Sequence, residues 1–153
     1  MPETAPQRAR TVLFLCTGNS ARSILAEALL NHLGTGAFRA FSAGSRPTGR
    51  VHPLALELLA RHGIPARGAR SKSWEEFAAP AGNPIDVVIT VCASAAADAC
   101  PVWPGAPVAL HWDIADPAAA TGGDAERRAA FERAFRALDG HIRNFIARQL
   151  VES

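Results

Sequence analysis

Two short runs of hydrophobic side chains constrain the fold of this chain more than any other feature. Residues 11–15 ("TVLFL") and 85–91 ("IDVVITV") are short, mostly apolar and rich in β-branched residues. Such runs are typical of parallel strands that are buried on both faces. Two further strands are predicted at residues 38–43 and 107–111. A sheet of this kind needs helices to cover its faces.

Three segments between and after these strands have the spacing of helices. The first is predicted at about residues 20–33, with Gly34 as its stop. The second begins with Pro53, a residue that suits a first helical turn. The last, at about residues 124–150, carries a core-facing stripe. The residues of that stripe are Phe131, Phe135, Leu138, Ile142 and Phe145. The order β-α-β-α-β-β-α predicts an α/β fold with a parallel sheet covered on both faces.

The length of the chain, 153 residues, suits one domain. Residues 1–10 ("MPETAPQRAR") lack the apolar centre of a signal peptide, so we expect a flexible N-terminal tail followed by a single domain at 11–153. Three cysteines without such a signal suit a reducing cytoplasm, where thiols are more often reactive or buried than paired in structural disulfides.

Composition argues against several classes of protein. The net charge is only +2 and there is no dense Lys/Arg run, so we expect no nucleic-acid partner. No apolar stretch approaches the length of a membrane span. The five histidines are scattered, and none has zinc-like spacing to a cysteine, so a metal enzyme is not expected.

Polar and reactive residues follow directly after three of the predicted strands. Cys16, Cys92 and the segment 113–116 each come just past a strand end. Ligands of parallel α/β sheets bind beyond the carboxyl ends of the strands. We therefore expect these residues to share one crevice.

The segment "CTGNSAR" has five residues between the Cys16 thiol and the Arg22 guanidinium, and it joins a strand to a helix. Such a loop turns backbone N–H groups inward and adds the positive end of a helix dipole, which suits phosphate or arsenate. Arg22 is suited to bind two oxygens of that anion as a fork. The same field favours a nucleophilic thiolate at Cys16. The predicted oxyanion-binding residues are Thr17, Gly18, Asn19, Ser20, Ala21, Arg22 and Ser23.

Ser23 has a second predicted role, as a hydrogen-bond donor to the Cys16 thiolate. The alternative for this motif is a buried cysteine at a strand end beside a helix-facing arginine. The spacing and the position between a strand and a helix favour the catalytic interpretation.

The sequence resembles a known family at three places: "CTGNSARS", "FSAGS" at residues 41–45, and Asp116-Pro117. It resembles the low-molecular-weight phosphotyrosine phosphatases and, among them, the thioredoxin-coupled arsenate reductases, over about residues 11–150. The resemblance implies a three-layer αβα fold with a four-stranded parallel sheet and an oxyanion loop at residues 16–22. It also implies that Asp116 is the general acid, although Asp113 is near enough in sequence to compete.

The resemblance implies a relay of thiols as well. Cys92 follows a strand directly, and Cys100 lies eight positions later. In the arsenate reductases the two corresponding cysteines pass a disulfide from the active site to the surface. Cys92 would attack the adduct of Cys16 with arsenic, and Cys100 would then attack the Cys16–Cys92 disulfide. The alternative is that both are ordinary small residues of an alanine-rich loop.

Two absences favour the reductase over the phosphatase. The tyrosine phosphatases of this fold carry tyrosines after Asp-Pro, whereas this chain has no tyrosine. They also commonly have a second cysteine inside the loop, where this chain has Ala21. The expected function is arsenate reduction in arsenic detoxification. The alternatives are a phosphatase of aryl phosphates or protein phosphotyrosine, and a non-catalytic thiol sensor of oxyanions or redox state.

No tightly bound cofactor is expected, and the electron donor would be external, either thioredoxin or glutaredoxin. Some relatives bind potassium behind the loop, and Asn19, Glu27 and Ser42 match three of the ligand positions. Ser73 stands where the fourth, acidic ligand is expected, and Lys72 is adjacent. Because a lysine can replace the charge of the cation, potassium is only a weak candidate.

Overall fold

The computed structural model describes residues 9–66, 68–78, 83–92 and 103–152. Four strands and three α-helices form in the predicted order. They are β1 (Arg10–Cys16), α1 (Arg22–Leu33), β2 (Phe38–Gly44), α2 (Pro53–Arg61), β3 (Val87–Thr90), β4 (Val108–His111) and α3 (Asp124–Glu152). Two short 3₁₀ helices, Trp74–Phe77 and Pro117–Ala119, complete the described elements.

The four strands form one parallel sheet in the order β2-β1-β3-β4. β1 is central: Cys16 pairs with Gly44 of β2, and Leu15 pairs with Thr90 of β3. The α/β fold class and the four-stranded parallel sheet predicted from the sequence are therefore confirmed.

Successive side chains of β1 point to opposite faces of the sheet, where two separate hydrophobic clusters lie. Val12, Phe14 and Cys16 face a large cluster that includes residues of all three α-helices. Leu13 and Leu15 face a smaller cluster on the opposite side of the sheet. Trp74, Phe77 and Trp103 belong to the smaller cluster or pack against it. The Cys16 side chain thus lies on the helix-covered face.

The boundaries of two elements differ slightly from the predictions. β1 begins at Arg10, inside the predicted tail, because the Arg10 N–H donates to the carbonyl oxygen of Ala37 at 3.0 Å. α1 begins at Arg22 rather than Ser20, since residues 17–21 form the loop that precedes it. The predicted stripe of α3 is buried at all five positions.

β4 departs from the prediction that both faces of the sheet are covered. All four of its residues are exposed, and Val108 has 62% of its surface accessible. The reason is its place at the edge of the sheet, where it pairs on one side with β3. Within the residues that the structure describes, no helix is long and apolar enough to span a bilayer.

The last residue of β2, Gly44, lies directly against the loop after β1. A Cβ atom at this position would lie 2.4 Å from the carbonyl oxygen of Thr17 and 3.0 Å from the Cβ of Asn19. Both contacts are too short for a side chain, so only glycine allows the loop to pack on β2.

Gly44→Ala should therefore lower the free energy of unfolding by about 2 kcal/mol, because the loop backbone must move. The matched control is Gly140→Ala in α3, where an added Cβ meets no atom within 4 Å. That variant should gain about 0.5–1 kcal/mol, since alanine favours a helix interior. Urea denaturation measures both values. Equal stability of Gly44→Ala and wild type would show that the loop does not depend on this contact.

Candidate active site

The loop between β1 and α1 is fixed through its carbonyl groups. Carbonyl oxygens of Thr17, Gly18 and Ser20 accept hydrogen bonds of 2.9–3.0 Å from backbone N–H groups of the segment 46–52. The Ser71 hydroxyl donates a further bond of 3.1 Å to the Gly18 oxygen. These carbonyl groups therefore point away from the centre of the loop.

This orientation determines where the N–H groups of the loop point. In a trans peptide the N–H of one residue is opposite the carbonyl of the residue before it. The N–H groups of Gly18, Asn19 and Ala21 consequently face the centre, and that of Arg22 opens the N-terminus of α1. The Asn19 N–H shows this directly, since it donates to the Cys16 sulfur at 3.2 Å. The result is a cradle of donors for an anion.

The Cys16 thiol lies at the base of this cradle and is 3% exposed. Its sulfur is 2.9 Å from the Ser23 hydroxyl, and either group can be the donor of this hydrogen bond. The Asn19 N–H is the second group within hydrogen-bonding distance. Groups at these distances can hold the sulfur in place for an attack on a bound oxyanion, and the thiolate is the nucleophilic form of cysteine.

Asn19 holds the loop in its shape. Its φ of 47° is in the left-handed region, which asparagine tolerates better than most residues. The side chain is fully buried, and its amide nitrogen donates to Ser23 at 2.8 Å and Ser42 at 3.0 Å. Its amide oxygen accepts from the backbone N–H of Lys72 at 2.8 Å. Every polar atom of this amide is therefore engaged.

Glu27 extends the chain of hydrogen bonds away from the thiol. The Ser42 hydroxyl donates to its carboxylate, so the chain runs from Cys16 through Ser23, Asn19 and Ser42 to Glu27. Burial raises the pKa of the Glu27 carboxyl, while the Ser42 hydroxyl and the Lys72 charge oppose that rise.

Lys72 is 8% exposed, and its ammonium group donates to the carbonyl oxygen of Arg70 at 3.0 Å. Burial lowers the pKa of Lys72, and the charge of Glu27 opposes the change. The Asn19 oxygen is occupied by a backbone N–H, and Ser73 instead caps the helix Trp74–Phe77. These residues fit an internal charge pair better than a potassium site, and we derive no step through potassium.

Arg22 and Asp116 meet at the mouth of the loop. Arg22 donates to the carbonyl oxygen of Ile114 at 2.9 Å, and its guanidinium is 3.7 Å from the Asp116 carboxylate. The side chain of Asp116 is 44% exposed, and it also accepts from the N–H of Ala118 at the start of the helix Pro117–Ala119. The structure thus brings Asp116, rather than Asp113, to Arg22.

Cys92 lies beside the loop, at the end of the neighbouring strand. The Val91 N–H donates to the Leu15 oxygen at 2.8 Å, so the end of β3 stays aligned with β1. Cys92 is 3% exposed, and its sulfur is 3.5 Å from the hydroxyl of Thr17. The third predicted cysteine, Cys100, lies outside the described residues.

Several supporting residues were not found from the sequence. Ser71 and Lys72 hold the loop, and the Ile114 carbonyl receives Arg22. The backbone N–H of His52 donates to Ser20. Burial lowers the pKa of the His52 imidazole, as does Arg127, while Asp116 opposes them. The types of the residues do not reveal backbone contacts of this kind. Lys72 is the exception, because its place beside Ser73 is visible in the sequence.

Over the part of the chain that the structure describes, no group of three His, Cys, Asp or Glu residues is placed to hold a metal ion. The site consists of a thiol, a cradle of N–H groups, a guanidinium and a carboxylate. This set suits nucleophilic attack on a tetrahedral oxyanion.

Comparison with known proteins identifies the family. Residues 11–153 match the model of the low molecular weight phosphotyrosine protein phosphatases. The chain belongs to this family, and the resemblance noted in the sequence is confirmed.

Its similar relatives include arsenate reductases. One from Halalkalibacterium halodurans is 33% identical over 136 residues, which are 89% of this chain and 94% of that protein. A glutaredoxin arsenate reductase from Synechocystis is 33% identical over 71% of this chain and 79% of that protein. The structure of a thioredoxin-dependent arsenate reductase from Corynebacterium glutamicum has a TM-score of 0.71 and 27% identity; the match covers 97% of this chain and 66% of that one.

The cradle can be tested by alkylation. Saturating sulfate should slow the reaction of Cys16 with iodoacetamide severalfold, because the anion fills the space in front of the sulfur. In the Arg22→Lys variant, sulfate should protect Cys16 from alkylation less well. Lysine keeps the positive charge but lacks the planar guanidinium that binds two oxygens at once. Mass spectrometry of the Cys16 peptide gives the rates. Equal labelling with and without sulfate would contradict the cradle.

The pair Glu27–Lys72 predicts a pH dependence. Because its pKa is raised in the folded state, Glu27 stabilises that state at pH values below its ordinary pKa of 4.5. This contribution is lost as the pH rises through the folded-state pKa. Because its pKa is lowered in the folded state, Lys72 stabilises that state at pH values above its ordinary pKa of 10.5. This contribution is lost as the pH falls through the folded-state pKa. The charge of each group opposes the pKa shift of the other.

Lys72→Met should therefore be destabilising at pH 8, and less so at pH 5, where Glu27 more readily takes up a proton. Adding Glu27→Gln should recover part of the loss, with a coupling of about 1 kcal/mol. The control pair is Arg143–Asp139 on the exposed face of α3, where coupling should stay below about 0.5 kcal/mol. Additive losses at Glu27 and Lys72 would contradict the pairing.

Proposed function

We propose that this protein is an arsenate reductase in which Cys16 is the nucleophile and Cys92 and Cys100 form a thiol relay. The observation that carries the proposal is the placement of a second buried thiol, Cys92, at the end of the strand next to Cys16, with its sulfur 3.5 Å from Thr17 of the loop. A phosphatase needs one thiol, whereas reduction of arsenate needs two electrons. The names of the relatives support the same reaction.

The first step uses the cradle. Arsenate binds with its oxygens on the inward N–H groups and on Arg22, and the Cys16 thiolate attacks arsenic. Asp116 gives its proton to the oxygen that leaves as water. A general acid in such a position contributes about 10²–10⁴-fold to the rate. The contact between Arg22 and Asp116 supports this assignment, because it keeps the acid at the mouth of the loop.

The second step supplies the electrons. The Cys92 thiolate attacks the Cys16 sulfur, the sulfur–arsenic bond breaks, and its electron pair leaves with arsenic. Arsenic(V) becomes arsenite, and the two thiols become the Cys16–Cys92 disulfide, so the electrons balance. Cys100 then attacks the Cys92 sulfur and releases Cys16 as a thiolate.

An external dithiol must reduce the resulting Cys92–Cys100 disulfide. Thioredoxin is the proposed donor and glutaredoxin the alternative, as the names of two relatives indicate for those proteins. A relay that must be reduced after every cycle suits a reducing compartment, so we place the protein in the cytoplasm.

The family also supports a second candidate, a phosphatase. The loop, Arg22 and Asp116 are the parts that a thiophosphate mechanism needs. However, the segment after Asp116 is Pro117 followed by alanines, and this chain has no tyrosine to line a slot for an aromatic substrate. We expect weak hydrolysis of p-nitrophenyl phosphate.

The decisive assay follows arsenate-dependent NADPH oxidation with thioredoxin and thioredoxin reductase, repeated with glutathione and glutaredoxin. Cys16→Ser should abolish both arsenate reduction and hydrolysis, because both reactions share the first attack. Cys92→Ser should abolish arsenite release and keep hydrolysis largely intact. Cys100→Ser should release about one arsenite per enzyme and stop as the Cys16–Cys92 disulfide.

Repeated turnover by Cys100→Ser with thioredoxin would exclude Cys100 as the relay thiol. Efficient hydrolysis of phosphotyrosine peptides with no arsenite under either reductant would favour the phosphatase. Oxyanion binding without any turnover would favour a thiol-based sensor.

A further inference from the structure

The segment 46–52, which supports the oxyanion loop, carries two exposed arginines, Arg46 and Arg50. Its backbone already holds the loop, since the Arg46 N–H donates to the Thr17 carbonyl oxygen at 2.9 Å. Neither arginine side chain is needed for that bond. We propose that Arg46 and Arg50 form a positively charged rim, which attracts doubly charged tetrahedral oxyanions to the cradle. The inference rests on the proposed function, in which arsenate is the substrate.

The two rim arginines lack the carboxylate partner that other arginines of the surface have. Five exposed arginines each pair with an aspartate or glutamate: Arg61, Arg70, Arg128, Arg136 and Arg143. Over the described part of the chain, no acidic side chain forms an ion pair with Arg46 or Arg50. A charge without such a partner acts on its surroundings over a longer range, because no opposite charge beside it cancels its field.

The turn that carries Arg50 is fixed against the loop. The Thr48 hydroxyl accepts from the Arg50 N–H at 3.2 Å and donates to the Arg50 carbonyl oxygen at 2.9 Å. The Thr48 N–H donates to the Gly18 carbonyl oxygen at 3.0 Å. The Ser71 hydroxyl accepts from the Gly49 N–H at 3.1 Å and donates to the same Gly18 oxygen. The backbone of Arg50 therefore keeps its place beside the loop, and its side chain adds a charge there.

Elementary electrostatics gives the size of the effect. From these backbone positions each guanidinium can lie within about 10 Å of an anion in the cradle, which is about the Debye length at 0.1 M salt. At that distance the two charges together should tighten the binding of a dianion about sixfold at an ionic strength of about 0.02 M, and about twofold at about 0.2 M. A monoanion has half the charge, so its gain at the lower ionic strength should be only about twofold. The rim therefore favours the doubly charged oxyanion.

The test measures anion binding by the protection of Cys16 against iodoacetamide. Sulfate and perchlorate are both tetrahedral, but sulfate carries two charges and perchlorate one. The double variant Arg46→Gln, Arg50→Gln should bind sulfate about sixfold more weakly than wild type at an ionic strength of about 0.02 M, and about twofold more weakly at about 0.2 M. At the lower ionic strength its binding of perchlorate should weaken only about twofold.

Steady-state turnover gives a second readout of the same variant. The KM for arsenate should rise by the same factor as the Kd for sulfate, while kcat should stay within about twofold of wild type. This pattern is expected because the rim attracts the free anion and takes no part in the attack by Cys16.

Two control variants separate the rim from other effects. Arg133→Gln with Arg148→Gln removes the same total charge from exposed positions of α3. Its binding of sulfate should change by less than about 1.5-fold at either ionic strength, because salt screens distant charges. Arg46→Lys with Arg50→Lys keeps both charges of the rim. It should bind sulfate as wild type does, since attraction over this distance depends on charge and not on the planar guanidinium.

Unchanged sulfate binding in the Arg46→Gln, Arg50→Gln variant would overturn the rim and leave the reductase assignment intact. If its KM for thioredoxin rose instead, the two arginines would belong to the docking of an acidic protein partner. Equal weakening in the α3 variant, or a loss that lysine does not restore, would also overturn the rim, because the cause would be net charge or structure. A wild-type protein that forms no arsenite would overturn the proposed function, whereas the sulfate comparison would still decide the rim.

Discussion

The buried amide of Asn19 is the interaction on which the rest of the site depends. Its backbone adopts a left-handed conformation, and this residue reverses the chain so that its own N–H meets the Cys16 sulfur. Its side chain binds Ser23 and Ser42 on one side and the backbone of Lys72 on the other. One residue thereby ties α1, β2 and the segment after α2 to the nucleophile. Without these bonds nothing would compensate for the cost of the positive φ.

Charge is arranged in two layers around that amide. Outside the loop, Arg22 faces Asp116 at the mouth, where the Asp116 side chain is 44% exposed and the Arg22 side chain 16% exposed. Behind the loop, Glu27 and Lys72 lie in a more buried environment. Burial raises the pKa of Glu27 and lowers the pKa of Lys72, so it favours the neutral form of each group. Through Ser42, Glu27 joins the chain of hydrogen bonds that ends at the thiol.

Much of the fold could be predicted because its signals are local. The run at residues 11–15 and the stripe along α3 are read from a few neighbouring side chains, and both are confirmed. The path of Arg22 to the Ile114 carbonyl could not be predicted, because nothing in residue type marks a backbone acceptor 92 positions away.

For the site, too, local features could be predicted from the sequence and long-range contacts could not. The strand–loop–helix order predicted the inward N–H groups and the Ser23 contact to Cys16, since both arise within eight residues. The resemblance favoured Asp116 over Asp113, whereas the contact of Asp116 with Arg22 could be found only in the folded chain.

The register of the sheet places the Cys92 thiol one residue beyond the neighbour of Cys16. Cys16 follows Leu15, which pairs with Thr90, so the residue beside Cys16 is Val91. Val91 is fully buried in the helix-covered cluster. One residue further the chain leaves the sheet, and the Cys92 sulfur lies next to Thr17, the first residue of the loop. In the proposed mechanism a single thiol at this strand end supplies the second electron, and the oxyanion loop itself needs no change.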